Sequence, residues 1–60
     1  MPTITKRTPN VFGGYTYYFE DEAELVCNGV GRIARSTGMK LPIEDYRQAI
    51  EAYVEELRNA

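Results

Sequence analysis

Carboxylate side chains are the groups in this sequence whose number and spacing best suit a chemical role. Glu20, Asp21, Glu22 and Glu24 place four carboxylates within five residues. Asp21 and Glu24 have the spacing of a capping box, in which a polar side chain and a later glutamate satisfy the first amide groups of a helix. That role leaves Glu20 and Glu22 free, and free carboxylates can attract the basic surface of a partner.

A second group of carboxylates follows near the end of the chain. Residues 42–58 carry apolar side chains at helical spacing, with acidic side chains on the opposite face of the predicted helix. Tyr18 adds an aromatic side chain that we expect outside the core. The residues expected to contact a partner are Tyr18, Glu20, Glu22, Glu44, Asp45, Glu51 and Glu55.

Two glycines in the middle of the chain fit a loose dinucleotide-binding pattern. Gly29, Gly31 and Ala34 match G-x-G-x-x-A. This pattern binds a pyrophosphate where it follows a strand and opens the helix of a βαβ unit. Here the glycines lie inside a predicted helix and nothing strand-like follows Gly38, so we expect no cofactor.

The same region offers an alternative function, a helix-turn-helix regulator that binds DNA. Ile33, Ala34 and Gly38 have a spacing similar to that motif, and a recognition helix could begin at Pro42. That helix would be rich in acidic residues, whereas phosphate binding needs a positive surface. We therefore rank nucleic acid below a protein with a basic surface as the partner.

The composition narrows the classes of protein further. The chain is long enough for a single domain, 1–60, and its nine acidic and seven basic side chains give a net charge of −2. It has no histidine and one cysteine, which excludes zinc sites, Ser-His-Asp triads and Cys-His dyads. We expect a binding protein rather than an enzyme, with no metal. No apolar run is long enough to cross a bilayer and a lone cysteine suits a reducing compartment, so we expect a cytoplasmic protein with no membrane partner.

The elements that must position these residues are predicted to be a β-hairpin followed by two helices, an α+β fold in the order β-β-α-α. The hairpin spans about residues 3–20. Its clearest strand alternates Tyr15, Tyr17 and Phe19 on one face with Tyr18 on the other. The first helix spans about 21–37 and the second about 42–58, both packed on one face of the hairpin.

Each predicted helix has an apolar stripe. In the first, Cys27 lies on the stripe and is expected to be a buried small hydrophobe, with an intermolecular disulfide as the alternative. Gly38 is expected to end that helix in the left-handed conformation, and Pro42 to open the next one. The stripe of the second helix covers the sheet or, in a further alternative, assembles a small structural homodimer.

Two blocks of the sequence resemble a family of small phage-encoded anti-CRISPR proteins of the type I-F inhibitor group. The first block, from Phe12 to Glu20, combines Phe-Gly-Gly with alternating aromatic residues and a glutamate. The second runs from Gly38 to Pro42. Together they cover about a quarter of the chain. The resemblance implies a fold of two strands, two helices and a third strand.

The resemblance also implies a function, which is evasion of host defence by acidic mimicry of DNA. Carboxylates would occupy a lysine- and arginine-rich surface on a CRISPR effector subunit in the cytoplasm of a bacterial host. The family has two adjacent glutamates where this sequence has Ala34 and Arg35, and an aspartate where it has Val11. The mimicry would therefore have to come from Glu20, Glu22 and the last helix.

Overall fold

Four strands and one helix make up the chain, and the computed structural model describes all 60 residues, Met1–Ala60. The strands form one antiparallel sheet in the order β1-β2-β3-β4, so each strand pairs with the next one along the chain. Their bounds are β1 Ile4–Pro9, β2 Tyr15–Phe19, β3 Glu24–Cys27 and β4 Ile33–Thr37. The helix, α1, spans Ile43–Asn59 and packs on one face of the sheet. The fold is α+β.

The predicted hairpin and the predicted final helix are both present. Strands β1 and β2 pair with Arg7 opposite Tyr17, and alternation along β2 buries Tyr17 and Phe19 against α1. The helix begins one residue later than expected. Pro42 lies at the N-cap position with φ −58° and ψ 146°, outside the helix rather than at its first residue.

The predicted helix over residues 21–37 is wrong, and with it the β-β-α-α order. This segment forms β3 and β4. The buried side chains of the segment are Ala23, Leu25 and Cys27, which are 0%, 0% and 5% exposed. Their spacing of two residues is that of a strand. Ala23 and Cys27 also fit the spacing of a helix, which is why the segment resembles one. Val30, the next residue of that helical stripe, is 81% exposed and belongs to a loop.

Three loops of one type connect the strands. In each, an N–H donates to the carbonyl four residues later, across a loop of three residues. The bonded pairs are Asn10–Gly14 at 3.0 Å, Phe19–Ala23 at 2.9 Å and Asn28–Arg32 at 2.8 Å. The third loop residue has a positive φ, which is 81° at Gly13, 75° at Glu22 and 84° at Gly31. The residue with a positive φ therefore recurs every nine positions along the chain, at 13, 22 and 31.

Aromatic side chains join α1 to the sheet. The rings of Phe19 and Tyr46 meet edge to face with centroids 5.0 Å apart, and those of Tyr17 and Tyr53 do so at 6.1 Å. Such pairs add to the stabilisation that burial of their surface provides. Cys27 lies in the same core as a free thiol, and burial raises its pKa. It is a buried small hydrophobe, as expected.

The backbone contact between the first and third loops requires glycine at position 14. A Cβ there would overlap the carbonyl oxygens of Cys27 and Asn28, whereas the space around Gly31 is open. We expect Gly14→Ala to lower the free energy of unfolding by about 3 kcal/mol, because backbone atoms must move apart. Gly31→Asn is the control, since Asn tolerates a left-handed conformation and should change stability by less than about 1 kcal/mol. Urea denaturation measures the stability of both variants. Equal losses of stability would contradict the requirement for glycine at position 14.

Candidate functional site

The β2–β3 loop and the start of α1 meet at one end of the molecule. The hydroxyl of Tyr46, which is 0% exposed, donates to Oδ2 of Asp21 at 2.6 Å. The hydroxyl oxygen of Tyr46 also accepts the backbone N–H groups of Lys40 at 2.9 Å and Leu41 at 3.2 Å. Because two donors already point at this oxygen, its own hydrogen is free for the carboxylate. We call the surface formed by Glu20, Glu22, Glu44 and Asp45 the acidic end.

Asp21 is the carboxylate that the fold itself uses. Its Oδ1 accepts the N–H of Ala23 at 3.1 Å, and Lys40 donates to its backbone carbonyl. The hydrogen bond from Tyr46 is the main reason why the pKa of Asp21 lies below its ordinary value of 3.8. The predicted capping box is therefore wrong, since Asp21 stabilises a hairpin loop and Glu24 begins strand β3.

Glu22 occupies an unusual backbone position in this loop. Its φ of 75° lies in the left-handed region, which disfavours residues with a Cβ by about 1 kcal/mol. The equivalent positions of the other two loops are glycines, Gly13 and Gly31, which adopt this conformation without strain. Glu20 and Glu22 are exposed, and neither side chain forms an ion pair or a hydrogen bond.

The first turn of α1 contributes one paired and one unpaired carboxylate. Glu44 accepts from Arg47 at 3.2 and 3.3 Å, and this contact lowers the pKa of Glu44 and raises that of Arg47. Both side chains are 54% exposed, so solvent screens the pair and it adds little stability. Asp45 has no basic partner. Glu44 is thus partly neutralised, while Glu20, Glu22 and Asp45 form no ion pair, and the Lys40 ammonium on the carbonyl of Asp21 is the positive charge held at the loop.

The other three predicted contact residues lie elsewhere. Glu51 and Glu55 line a groove of about 650 Å³ between the C-terminal half of α1 and the first and third loops. Tyr18 lies on the face of the sheet that α1 leaves open, with Nζ of Lys6 4.5 Å from its ring centroid. The structure therefore places two of the seven residues, Glu20 and Glu22, in the β2–β3 loop and two more, Glu44 and Asp45, in the first turn of α1, which Tyr46 ties to that loop.

The glycine pattern has a different role from the one considered. Gly29 and Gly31 lie in the β3–β4 loop, where Oδ1 of Asn28 accepts the N–H groups of Val30 at 3.1 Å and Arg32 at 2.9 Å. No helix follows these glycines until α1, so their amides do not form the helix-start cradle that a pyrophosphate needs. The helix-turn-helix hypothesis also loses its basis, because its first helix is a strand pair.

Apolar side chains at the tips of two loops were missed at the sequence level. Val11, Phe12 and Val30 are 93%, 58% and 81% exposed. They share one end of the molecule because the N–H of Gly29 donates to the carbonyl of Phe12 at 3.1 Å. The available signal was the placement of large apolar residues beside loop glycines, but Val30 also fitted the predicted helical stripe.

The fold and the site define a small α+β protein, a four-stranded antiparallel meander with one helix on one face and an acidic end where the β2–β3 loop meets the start of that helix. No family of known proteins, no curated protein and no solved structure matches the chain. Its helix lacks the length and apolar character needed to cross a membrane. No three His, Cys, Asp or Glu side chains come together as a metal site.

The contact between Tyr46 and Asp21 predicts a pH-dependent loss of stability. Tyr46→Phe leaves the N–H groups of Lys40 and Leu41 without an acceptor, so we expect a loss of about 2 kcal/mol at pH 7. The pKa of Asp21 is lower in the folded chain than in the unfolded chain. The stability that the charged carboxylate contributes is therefore complete above pH 3.8 and is lost as the pH falls through the pKa of the folded chain. The difference between wild type and variant should shrink over that range.

Thermal unfolding between pH 2 and pH 7 tests this expectation. Tyr53→Phe is the matched control, because the hydroxyl of Tyr53 forms no hydrogen bond and its ring packs on the same core. A pH-independent difference for Tyr46→Phe would show that the charged form of Asp21 is not involved.

The strained position of Glu22 predicts that a substitution there stabilises the protein. We expect Glu22→Asn to raise the free energy of unfolding by about 0.5–1 kcal/mol, because Asn accepts a positive φ more readily. Glu20→Asn is the comparison, since residue 20 in the same loop has no positive φ and should gain nothing. Urea denaturation compares the stability of the two variants. A loss of stability in Glu22→Asn would show that the backbone of Glu22 is not strained.

Proposed function

We propose that this protein is a small non-enzymatic inhibitor whose acidic end binds a basic, nucleic-acid-binding surface of a host protein. The observation that carries the proposal is the left-handed backbone of Glu22. A glutamate at a position where two equivalent loops have glycine lowers stability, and strain of this kind concentrates at functional sites. A carboxylate kept there despite the strain points to a role in binding.

The geometry of the acidic end supports binding to a positive surface. Asp21 lies between Glu20 and Glu22 and is tied to Tyr46, so the loop is held against the helix. The carboxylates that remain unpaired are therefore presented on a fixed support, which limits the conformational entropy lost on association. Fixed charges of one sign also accelerate encounter with a partner of opposite sign.

The class of partner is proposed from the charge pattern and from the resemblance of two sequence blocks described above, although the chain lacks the two-helix fold that the resemblance implies. A surface that binds the phosphates of DNA is rich in Lys and Arg, and rigidly held carboxylates can replace those phosphates. The block from Phe12 to Glu20 ends at the acidic end. A type I-F CRISPR effector subunit in a bacterial cytoplasm is thus the first partner to test, with Tyr18 as a neighbouring contact on the open face of the sheet.

Capture from a bacterial cytoplasmic extract followed by mass spectrometry tests the proposal, together with binding to a purified type I-F effector complex. We expect Glu20→Gln combined with Glu22→Asn to reduce capture of nucleic-acid-binding proteins at least tenfold. That loss corresponds to about 1.4 kcal/mol. Because the charges are exposed, captured proteins should elute at about 0.5 M salt. Added duplex DNA should release them as well.

The matched control is Glu51→Gln combined with Glu55→Gln, which removes the same charge at a separate place. Capture by this control should equal that of wild type. Equal losses of capture in both double variants would show that only net charge matters. No loss of capture in either variant would show that the acidic end is not the binding surface. A sequence-dependent gel shift with DNA alone would favour a DNA-binding regulator and overturn the inhibitor.

A further inference from the structure

The groove beside the C-terminal half of α1 holds charges of both signs that do not pair with one another. Arg7 and Arg58 line it together with Glu51 and Glu55. None of these arginines has a carboxylate oxygen within ion-pair distance, and the one contact of Glu51 is with Arg47, at 3.9 Å. Opposite charges that share a groove without pairing leave room for a ligand that carries both complementary charges.

Arg7 is positioned as a receptor for an anion. Its guanidinium lies over the ring of Tyr15, 3.9 Å from the centroid, and 5.9 Å from the centroid of Tyr53. The group is half-buried and donates no hydrogen bond within the chain. Stacking on an aromatic ring fixes the guanidinium plane while its N–H groups stay available for bidentate binding of a carboxylate.

The floor and one rim of the groove suit an apolar main-chain ligand. Tyr17, Ile50 and Val54 supply apolar surface below. At the rim, the backbones of Gly13 and Gly29 pack against each other, and both residues line the groove. The volume of about 650 Å³ lies within the range of small-ligand sites.

We infer that the groove binds a free short peptide with apolar side chains. Its terminal ammonium lies against Glu51 and Glu55, its terminal carboxylate lies against Arg7 and Arg58, and its side chains contact the apolar floor. This site is separate from the acidic end, at the other half of α1, and the inference does not depend on the proposed inhibitor function.

Titration of the isotope-labelled protein with the dipeptide leucyl-leucine, followed by amide chemical shifts, tests the inference. We expect saturable shifts at Gly13 and Gly29. N-acetyl-leucyl-leucine lacks the ammonium and leucyl-leucine amide lacks the carboxylate, so each should bind at least tenfold more weakly. If the acetylated form binds as well as the free dipeptide, the ligand is the carboxyl end of a protein chain and the inference is overturned.

Variants assign the two charged contacts. Arg58→Gln should abolish the preference for the free dipeptide over its amide, and Glu51→Gln with Glu55→Gln should abolish the preference over the acetylated form. Arg7→Gln should act as Arg58→Gln does; should it unfold, the exposed Arg58 variant still gives the answer. Arg35→Gln, on β4, is the control and should leave binding unchanged. No saturable shift at 20 mM dipeptide, or equal affinity for all three ligands, would overturn the inference.

Discussion

The hydroxyl of Tyr46 is the contact on which the arrangement of this small protein depends. It joins the β2–β3 loop to the segment that leads from β4 into α1, and its ring packs against Phe19. The helix has no side-chain cap at its first turn, so its start is held by this tertiary contact rather than by local capping. Tyr46 therefore holds the start of the helix against the β2–β3 loop, while Tyr53 packs on Tyr17 farther along the helix.

The parts of the fold that could be predicted are those with a strong local pattern. Alternation over 15–19 and helical spacing over 43–57 each fit one type of element, and both elements are present. In the middle of the chain, the spacing of the apolar residues fits both a strand and a helix. Asp21 and Glu24 also have the spacing of a helix start. Its strand identity depends on pairing with β2, a contact that no short window contains. The loop at Glu22 has no glycine to mark the turn, so the local sequence there predicts the start of a helix instead of a hairpin.

The candidate site was predictable in residue type but not in grouping. Glu20 and Glu22 were singled out because they are free of capping roles, and they remain unpaired. Their loop lies at the first turn of α1, which carries Glu44 and Asp45, because Tyr46 reaches Asp21, a contact across 25 residues. Glu51 and Glu55 lie on the same helix but border a groove that contains arginines. The net charge of −2 therefore conceals two environments, a mainly acidic one that also holds Lys40 and one of mixed sign.

The neighbour-to-neighbour order of the strands has a consequence for the way the chain folds. Each hairpin closes a loop of three residues, so the sheet can zip together from local steps that lose little loop-closure entropy. Low contact order of this kind is associated with rapid folding. The contacts of longest range are those between α1 and the first two strands, such as Arg7 with Tyr53. We therefore expect the sheet to form first, with its strand register set, and docking of the helix to limit the folding rate.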